Sequence, residues 1–153
     1  MIDSDVIHKE IIFLNKELDN KISIVDYILE EAKKNNLISV KDDLKKAVLE
    51  REEQISTSIG FDIAMPHGKS DTVLQPFVAF LRTKEGIYWD KDSDETVRMI
   101  FLIAVPSENK DNMHLKFISE ISKKLLDDEF RQKLLTEENE NEVYKLLQSI
   151  KQK

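Results

Sequence analysis

Two uninterrupted apolar runs, residues 77–81 and 99–105, constrain the fold of this chain more than any other feature. A strand with one face in water alternates apolar and polar residues, whereas a continuously apolar strand is covered on both faces. Pro106 ends the second run. The two runs therefore predict central strands of a sheet that has helices packed on both sides.

Helical patterns surround these runs. After a possible cap at Asp19-Asn20, apolar residues recur at three- and four-residue steps from Ile22 to Ala32. Ser39 and Asp42 predict a capping pair for a second helix, which would end near Glu50 or Arg51. A third apolar stripe follows Asp111-Asn112, two shorter helices fit residues 129–135 and 141–150, and residues 11–14 suit a buried strand. We predict one α/β domain over residues 1–153, with a mixed central β-sheet flanked by helices on both sides.

Composition excludes several classes of function. The net charge of −7, with basic and acidic residues interleaved, argues against nucleic-acid binding. No apolar run approaches the roughly 20 residues of a membrane helix, and no basic-then-apolar leader begins the chain, so we expect a cytoplasmic protein without membrane insertion. The absence of cysteine removes disulfides and thiolate chemistry. Three histidines without metal-ligand spacing predict no zinc site, and we expect no cofactor.

His67 stands in the most unusual segment of the sequence. The chain has only three glycines, yet Gly60 and Gly68 bracket this histidine, and Pro66 precedes it. Proline restricts the backbone before the histidine, while Gly68 permits a sharp turn or a close approach to a ligand. We therefore expect His67 at the end of a strand, where open α/β sheets tend to hold their ligands. Taken alone, the Pro-His-Gly tripeptide also fits an ordinary turn.

A longer stretch, residues 51–71, closely resembles the active-site signature of enzyme IIA domains of the fructose-mannitol family in the phosphoenolpyruvate-dependent sugar phosphotransferase system. It includes an arginine and a Gly-x-x-Ile-Ala-x-Pro-His-Gly core. The resemblance continues through residues 86–90, 100–106, 114–116 and 125–126 in the order typical of the fructose-type branch, and covers about residues 11–147. One departure is that residues 92–95 lack the glycine expected in that turn.

The resemblance implies a role for each matched residue. His67 corresponds to the phosphorylated histidine, which takes its group from the histidine-containing phosphocarrier protein and gives it to a IIB component. Arg51 corresponds to the active-site arginine and His114 to the second active-site histidine. Without the wider match, Arg51 would be read as a surface residue at a helix end, and His114 as a capping or partly buried histidine.

Elementary chemistry agrees with these roles. A histidine near its ordinary pKa is largely neutral at cytosolic pH, so one ring nitrogen can attack phosphorus while the other donates a hydrogen bond. A planar guanidinium such as that of Arg51 supplies several donors to the oxygens of a phosphoryl group in transfer. His114, beside a predicted helix start, can add a donor close to backbone N–H groups that favour an anion.

Three functions remain open at this point. The first is a phosphotransferase carrier that serves sugar transport, of the fructose type. The second is a regulatory relative of the nitrogen-related branch, in which phosphorylation of His67 switches binding to a target. The third is a small-ligand or metal-binding α/β domain without phosphorylation. Residues 86–90 favour the first of these functions, the carrier for fructose-type transport.

Overall fold

A computed structural model describes residues 6–109 and 112–151 of the chain. The elements follow in the order β1 (Ile7–Lys16), α1 (Lys21–Lys34), α2 (Lys41–Gln54), β2 (Ser58–Gly60), β3 (Ile63–Ala64), β4 (His67–Lys69), β5 (Phe77–Tyr88), β6 (Thr96–Val105), α3 (Met113–Lys124), α4 (Asp128–Thr136) and α5 (Glu140–Gln148), with a final 3-10 turn at Ser149–Lys151.

The sheet is mixed and its two central strands are the predicted apolar runs. The strand order is β1-β5-β6-β3-β2, with β4 also beside β6. The strand β1 runs parallel to β5, while β5 and β6 are antiparallel. The predicted α/β fold with helices on both sides of a mixed sheet is confirmed.

Each face of the sheet has its own apolar core. One core includes buried side chains of α1 and α2, such as Ile28 and Leu44, packed on residues such as Leu102. The other includes buried side chains of α3, α4 and α5, such as Ile121, packed on residues such as Phe101. Alternate residues of β6 point to opposite faces, so a continuously apolar strand fills both cores.

Strands β3 and β4 are one interrupted strand along the same side of β6. Ile63 pairs with Met99 and His67 pairs with Ile103, both in parallel register. Between them the Pro66 carbonyl accepts a hydrogen bond from the N–H of Ile103. The sequence predicted His67 at a strand end; it is the first residue of β4, immediately after a break in the pairing with β6.

Two details of the second helix differ from the sequence prediction. The residue before α2 is Val40, which provides no side-chain cap, and Ser39 is used elsewhere. Both the N–H and the hydroxyl of Ser39 donate to the Thr72 carbonyl, which ties the start of α2 to the loop before β5. The helix also continues to Gln54, beyond the predicted end, so Arg51 lies in its last turn.

Candidate phosphotransfer site

The ring of His67 is half-buried, and its orientation is fixed by one hydrogen bond. Its Nδ1 lies 3.0 Å from the carbonyl oxygen of Met65. Because a carbonyl oxygen can only accept, this contact requires the proton on Nδ1. The lone pair of the neutral ring then resides on Nε2, which becomes the nucleophilic nitrogen.

The environment of His67 keeps its ring neutral. Burial is the main cause that lowers the pKa of His67 below its ordinary value, and the positive charge of Arg51 acts in the same direction. The hydrogen bond to Met65 and the negative charge of Glu52 oppose this shift. At neutral pH the imidazole therefore carries a free lone pair rather than a second proton.

Gly68 brings Arg51 close to His67. A Cβ atom built on Gly68 would lie 2.8 Å from Cγ2 and 3.1 Å from the backbone nitrogen of Val48, so α2 can pack this closely only against a glycine. Val48 and Arg51 are three residues apart and share a face of α2. Arg51 therefore reaches the site one turn beyond that contact. The sequence predicted that Gly68 permits a turn or a close approach to a ligand; the close approach is to α2.

The guanidinium of Arg51 is itself held in place. Its Nη1 donates a 2.9 Å hydrogen bond to the carbonyl of Ile55, just beyond the end of α2. Within the described part of the chain, its other N–H groups make no hydrogen bond, so they can bind an incoming anion.

His114 reaches the same place from the opposite helical layer. It is the second residue of α3, and its ring centroid lies 6.1 Å from that of His67, with an angle of 28° between the planes. Asn109 anchors the helix start: its Oδ1 accepts from the N–H of Met113 and its Nδ2 donates to the Pro106 carbonyl. The predicted position of His114 at a helix start agrees with this arrangement.

The second imidazole has an unused polar atom. The buried Nδ1 of His114 has no hydrogen-bond partner among residues 6–109 and 112–151. Burial is the main cause that lowers the pKa of His114, with smaller contributions from the charges of Lys69 and His67. Lys69 is two residues beyond His67 and projects from the same side of β4. Arg51 and a neutral imidazole thus lie near the nucleophilic ring, and Lys69 adds positive charge near His114.

All three residues selected from the sequence therefore meet at one point on the sheet edge, and one further group was missed. Glu52 is buried, with 5% of its surface exposed, and its carboxylate accepts hydrogen bonds from Thr57 and from the indole of Trp89. The signal was present in the sequence, because Glu52 continues the buried four-residue series of Leu44 and Val48. Trp89, which donates one of these bonds, is itself buried.

Fold and site together define a class: an α/β domain in which a neutral histidine lies between an arginine and a second histidine. Residues 5–150 match the family described as phosphoenolpyruvate-dependent sugar phosphotransferase system, EIIA 2. The chain belongs to this family, whose members are phosphotransferase components, and the resemblance found in the sequence is confirmed.

Among curated relatives, the chain is 33% identical to the fructose-specific EIIA component of Haloferax volcanii, over 92% of this chain and 91% of the relative. It is 32% identical to the fructose-specific EIIABC component of Bacillus subtilis, over 94% of this chain but only 22% of that longer protein.

Solved structures of the family have the same fold. The nitrogen regulatory protein IIA-Ntr from Neisseria meningitidis superposes with a TM-score of 0.84 at 27% identity, covering 94% of this chain and 97% of that one. The enzyme IIA of mannitol from Escherichia coli, in its complex with phosphorylated enzyme IIB, superposes with a TM-score of 0.78 at 26% identity, covering 92% and 95%. In the described part of our chain, no helix combines the length and apolarity required to cross a membrane.

Proposed function

We propose that this protein carries a phosphoryl group on Nε2 of His67, accepting it from the histidine-containing phosphocarrier protein and donating it to a IIB component of a fructose-type sugar transporter. The hydrogen bond from Nδ1 of His67 to the Met65 carbonyl is the observation that carries the proposal, because it leaves the Nε2 lone pair available beside Arg51.

The transfer step balances with the groups at the site. The lone pair of Nε2 forms the new N–P bond, and the bond between phosphorus and the donor's histidine nitrogen breaks, returning its electron pair to the donor. The proton on Nδ1 stays in place, so the phosphorylated ring is positively charged and the Met65 carbonyl stabilises it. Arg51, His114 and Lys69 offer donors to the oxygens of the group in transfer, which is the main demand of phosphoryl transfer.

The names of the relatives support the type of sugar and the acceptor. The first two curated relatives are fructose-specific, and a relative from Escherichia coli is a multiphosphoryl transfer protein. The mannitol enzyme IIA is known in complex with a phosphorylated IIB enzyme. The proposal includes a cytoplasmic location, because phosphoenolpyruvate, on which this phosphotransferase system depends, is a cytosolic metabolite.

The assay for the carrier function follows phosphorylation directly. Incubation with phosphoenolpyruvate, the general enzyme I and the phosphocarrier protein should add one acid-labile phosphoryl group, measured by intact mass. His67→Gln should abolish the addition, since an amide has no nucleophilic lone pair of this kind. His8→Gln, a matched change on β1, should accept the group normally. Unchanged mass of the parent protein, or normal labelling of His67→Gln, would reject the proposal.

A regulatory role is the second candidate, favoured by the likeness to IIA-Ntr. The two roles differ in the fate of the phosphoryl group. A transport carrier passes it to a fructose-type IIB protein within the assay, whereas a regulatory protein keeps it and changes its affinity for a target. The two roles can be distinguished by offering the phosphorylated protein to purified fructose-type and mannitol-type IIB proteins. We expect rapid transfer of the phosphoryl group to the fructose-type acceptor.

A further inference from the structure

Glu52 and Thr57 close the loop that follows α2. The backbone N–H and the hydroxyl of Thr57 donate to the two carboxylate oxygens of Glu52 at 2.7 and 2.6 Å. Both residues are buried. This pair fixes the chain on both sides of residues 53–56, which comprise the exposed last two residues of α2 and the start of its connection to β2.

The closed loop contains the group that holds Arg51. The carbonyl of Ile55, in the middle of the segment, accepts the hydrogen bond from Nη1 of Arg51. Displacement of Thr57 from Glu52 would free this carbonyl to move, and with it the guanidinium. The position of Arg51 therefore depends on the carboxylate of its neighbour in sequence.

The same pair also leads to His67. The carbonyl of Thr57 accepts a 3.1 Å hydrogen bond from the N–H of Met65, and the carbonyl of Met65 accepts from Nδ1 of His67. Three consecutive contacts thus connect the Glu52 carboxylate to the nucleophilic ring. Glu52 is the point at which the supports of the arginine and of the histidine meet.

Trp89 and Lys21 hold the Glu52 carboxylate in turn. The indole N–H of Trp89 donates to Glu52 at 3.1 Å, and the ammonium of Lys21 lies 3.6 Å from the same oxygen. Asp90 accepts from the hydroxyl of Ser56 at 2.6 Å and also pairs with Lys21. These contacts give a role to Trp89 and Asp90, the last two residues of the segment 86–90 that carried part of the family resemblance.

We propose that Glu52 is a positioning residue of the phosphotransfer site: by holding Thr57, its carboxylate aligns the guanidinium of Arg51 with the Nε2 atom of His67. This inference rests on the proposed function, because it assigns Glu52 a part in aligning the groups that transfer phosphorus. Misalignment by about 1 Å can slow a reaction by about 10²-fold.

The charge and the geometry of Glu52 can be separated by two substitutions. Glu52→Gln can keep all three hydrogen bonds, with its oxygen facing the two N–H donors and its amide donating to the Thr57 hydroxyl. Glu52→Ala removes them all. The exposed neighbour provides the matched control, Glu53→Ala, which removes the same side chain from the next position of α2.

We expect Glu52→Ala to lower the transfer rate at saturating phosphocarrier by about 10- to 100-fold, with little change in the half-saturating concentration, because alignment rather than docking is lost. Glu52→Gln should recover most of this rate, and Glu53→Ala should behave as the parent. An unchanged maximal rate in folded Glu52→Ala, or an equal loss in Glu53→Ala, would overturn the proposal.

Nitrogen NMR of the imidazoles gives a readout that a purely structural role would not move. The parent should show the proton of His67 on Nδ1, and Glu52→Ala should show a mixture of both tautomers because the Met65 carbonyl is released. In Glu52→Gln the tautomer should persist while the pKa of His67 falls, since the charge that opposes Arg51 is gone. Besides Arg51 and Glu52, the charged or titratable groups of this site are His114 from α3 and Lys69 from β4, and both are unchanged in these variants. A parental tautomer in Glu52→Ala would contradict the proposal.

Folding is checked by circular dichroism. If Glu52→Ala does not fold, Thr57→Val removes the hydroxyl half of the same contact, keeps the backbone N–H donor to Glu52 and changes the shape too little to open the core. It should slow transfer and mix the tautomers, each to a smaller extent than Glu52→Ala. Parental behaviour of Thr57→Val would then overturn the inference. A parent protein that is not phosphorylated on His67 would reject the proposed function instead, while the tautomer measurement would still decide whether Glu52 positions the ring.

Discussion

At the scale of single residues, the two nitrogens of His67 have different tasks because, among residues 6–109 and 112–151, only Nδ1 meets a protein acceptor. The Met65 carbonyl holds the proton on Nδ1, and the half-buried position disfavours a second proton on Nε2. Burial acts on His114 in the same way. Both rings are therefore neutral at a pH where exposed histidines are already partly charged.

This difference predicts a pH dependence of stability. Below the ordinary histidine pKa of 6.5, the unfolded chain binds protons at these positions that the folded chain does not bind. The contribution of these two histidines to the free energy of unfolding should therefore be nearly independent of pH above pH 6.5. It should fall as the pH is lowered from 6.5 towards the pKa values of the folded state. Urea unfolding at pH 7.5, 6.5 and 5.5 measures it.

The control is His67→Gln, which should lose less stability than the parent between pH 6.5 and 5.5. Asp26 and Glu30 do not confuse the comparison, because their pKa values are lowered by hydrogen bonds to lysines and they titrate well below this window. Parallel pH profiles of parent and variant would contradict the lowered pKa of His67.

At the scale of the elements, the site depends on how closely α2 packs on β4. Gly68 faces Val48 at a distance that leaves no room for a methyl group. The contact lies one helical turn before Arg51, so a displacement of the helix moves the arginine while the hydrogen bond that orients His67 remains.

Gly68→Ala should therefore destabilise the fold by about 1–3 kcal/mol, as overpacking does, and should also slow phosphorylation of His67. The matched control is Gly86→Ala in the hairpin of β5 and β6, where the added Cβ would lie 2.8 Å from the Thr96 hydroxyl. It should lower stability without slowing transfer by the folded protein. Thermal unfolding and the phosphorylation assay distinguish the two, and equal transfer rates in both variants would refute the packing argument.

The long elements were predictable from the sequence because their signals are local. The apolar runs at 77–81 and 99–105 became β5 and β6, and the stripe from Ile22 to Ala32 became α1, with Asn20 as its cap. Ile22 itself is exposed, since the buried face is centred on Ile24 and Ile28.

The short elements at the site were not predictable, because distant residues determine them. Strands β3 and β4 have two and three residues, and they exist through their pairing with β6. Ser39 has the local pattern of a cap, but its hydrogen bonds go to Thr72, 33 residues away. Residue identity was enough to select His67, Arg51 and His114, whereas their distances and the support by Glu52 required the fold.

At the scale of the whole molecule, the site lies where two helical layers reach the same sheet edge: Arg51 comes from one layer and His114 from the other. Away from the site, hydrogen bonds of one buried arginine connect the sheet to the helices that cover it. Arg82 is completely buried on β5, donates to the Leu134 carbonyl at 2.7 Å and pairs with Glu138 at 3.3 Å, which joins the sheet to the connection between α4 and α5.

Arg82→Ala should cost about 2–4 kcal/mol of unfolding free energy, because it opens a cavity and leaves a buried carbonyl without its donor. Arg82 pairs with Met99 of β6, whereas His67 pairs with Ile103, four residues further along the same strand. Arg82 is therefore outside the phosphotransfer site, and the transfer rate per folded molecule should be unchanged. Denaturant unfolding and the phosphorylation assay measure the two quantities. A stability loss confined to a few tenths of a kcal/mol would contradict the structural role.

The bond between Trp89 and Glu52 has a practical consequence. Trp89 is the only tryptophan in the sequence. Its buried indole donates a hydrogen bond to Glu52, the residue that follows Arg51. We therefore expect its ultraviolet emission to respond when a phosphoryl group arrives at or leaves His67, which would let stopped-flow fluorescence time the transfer in unlabelled protein.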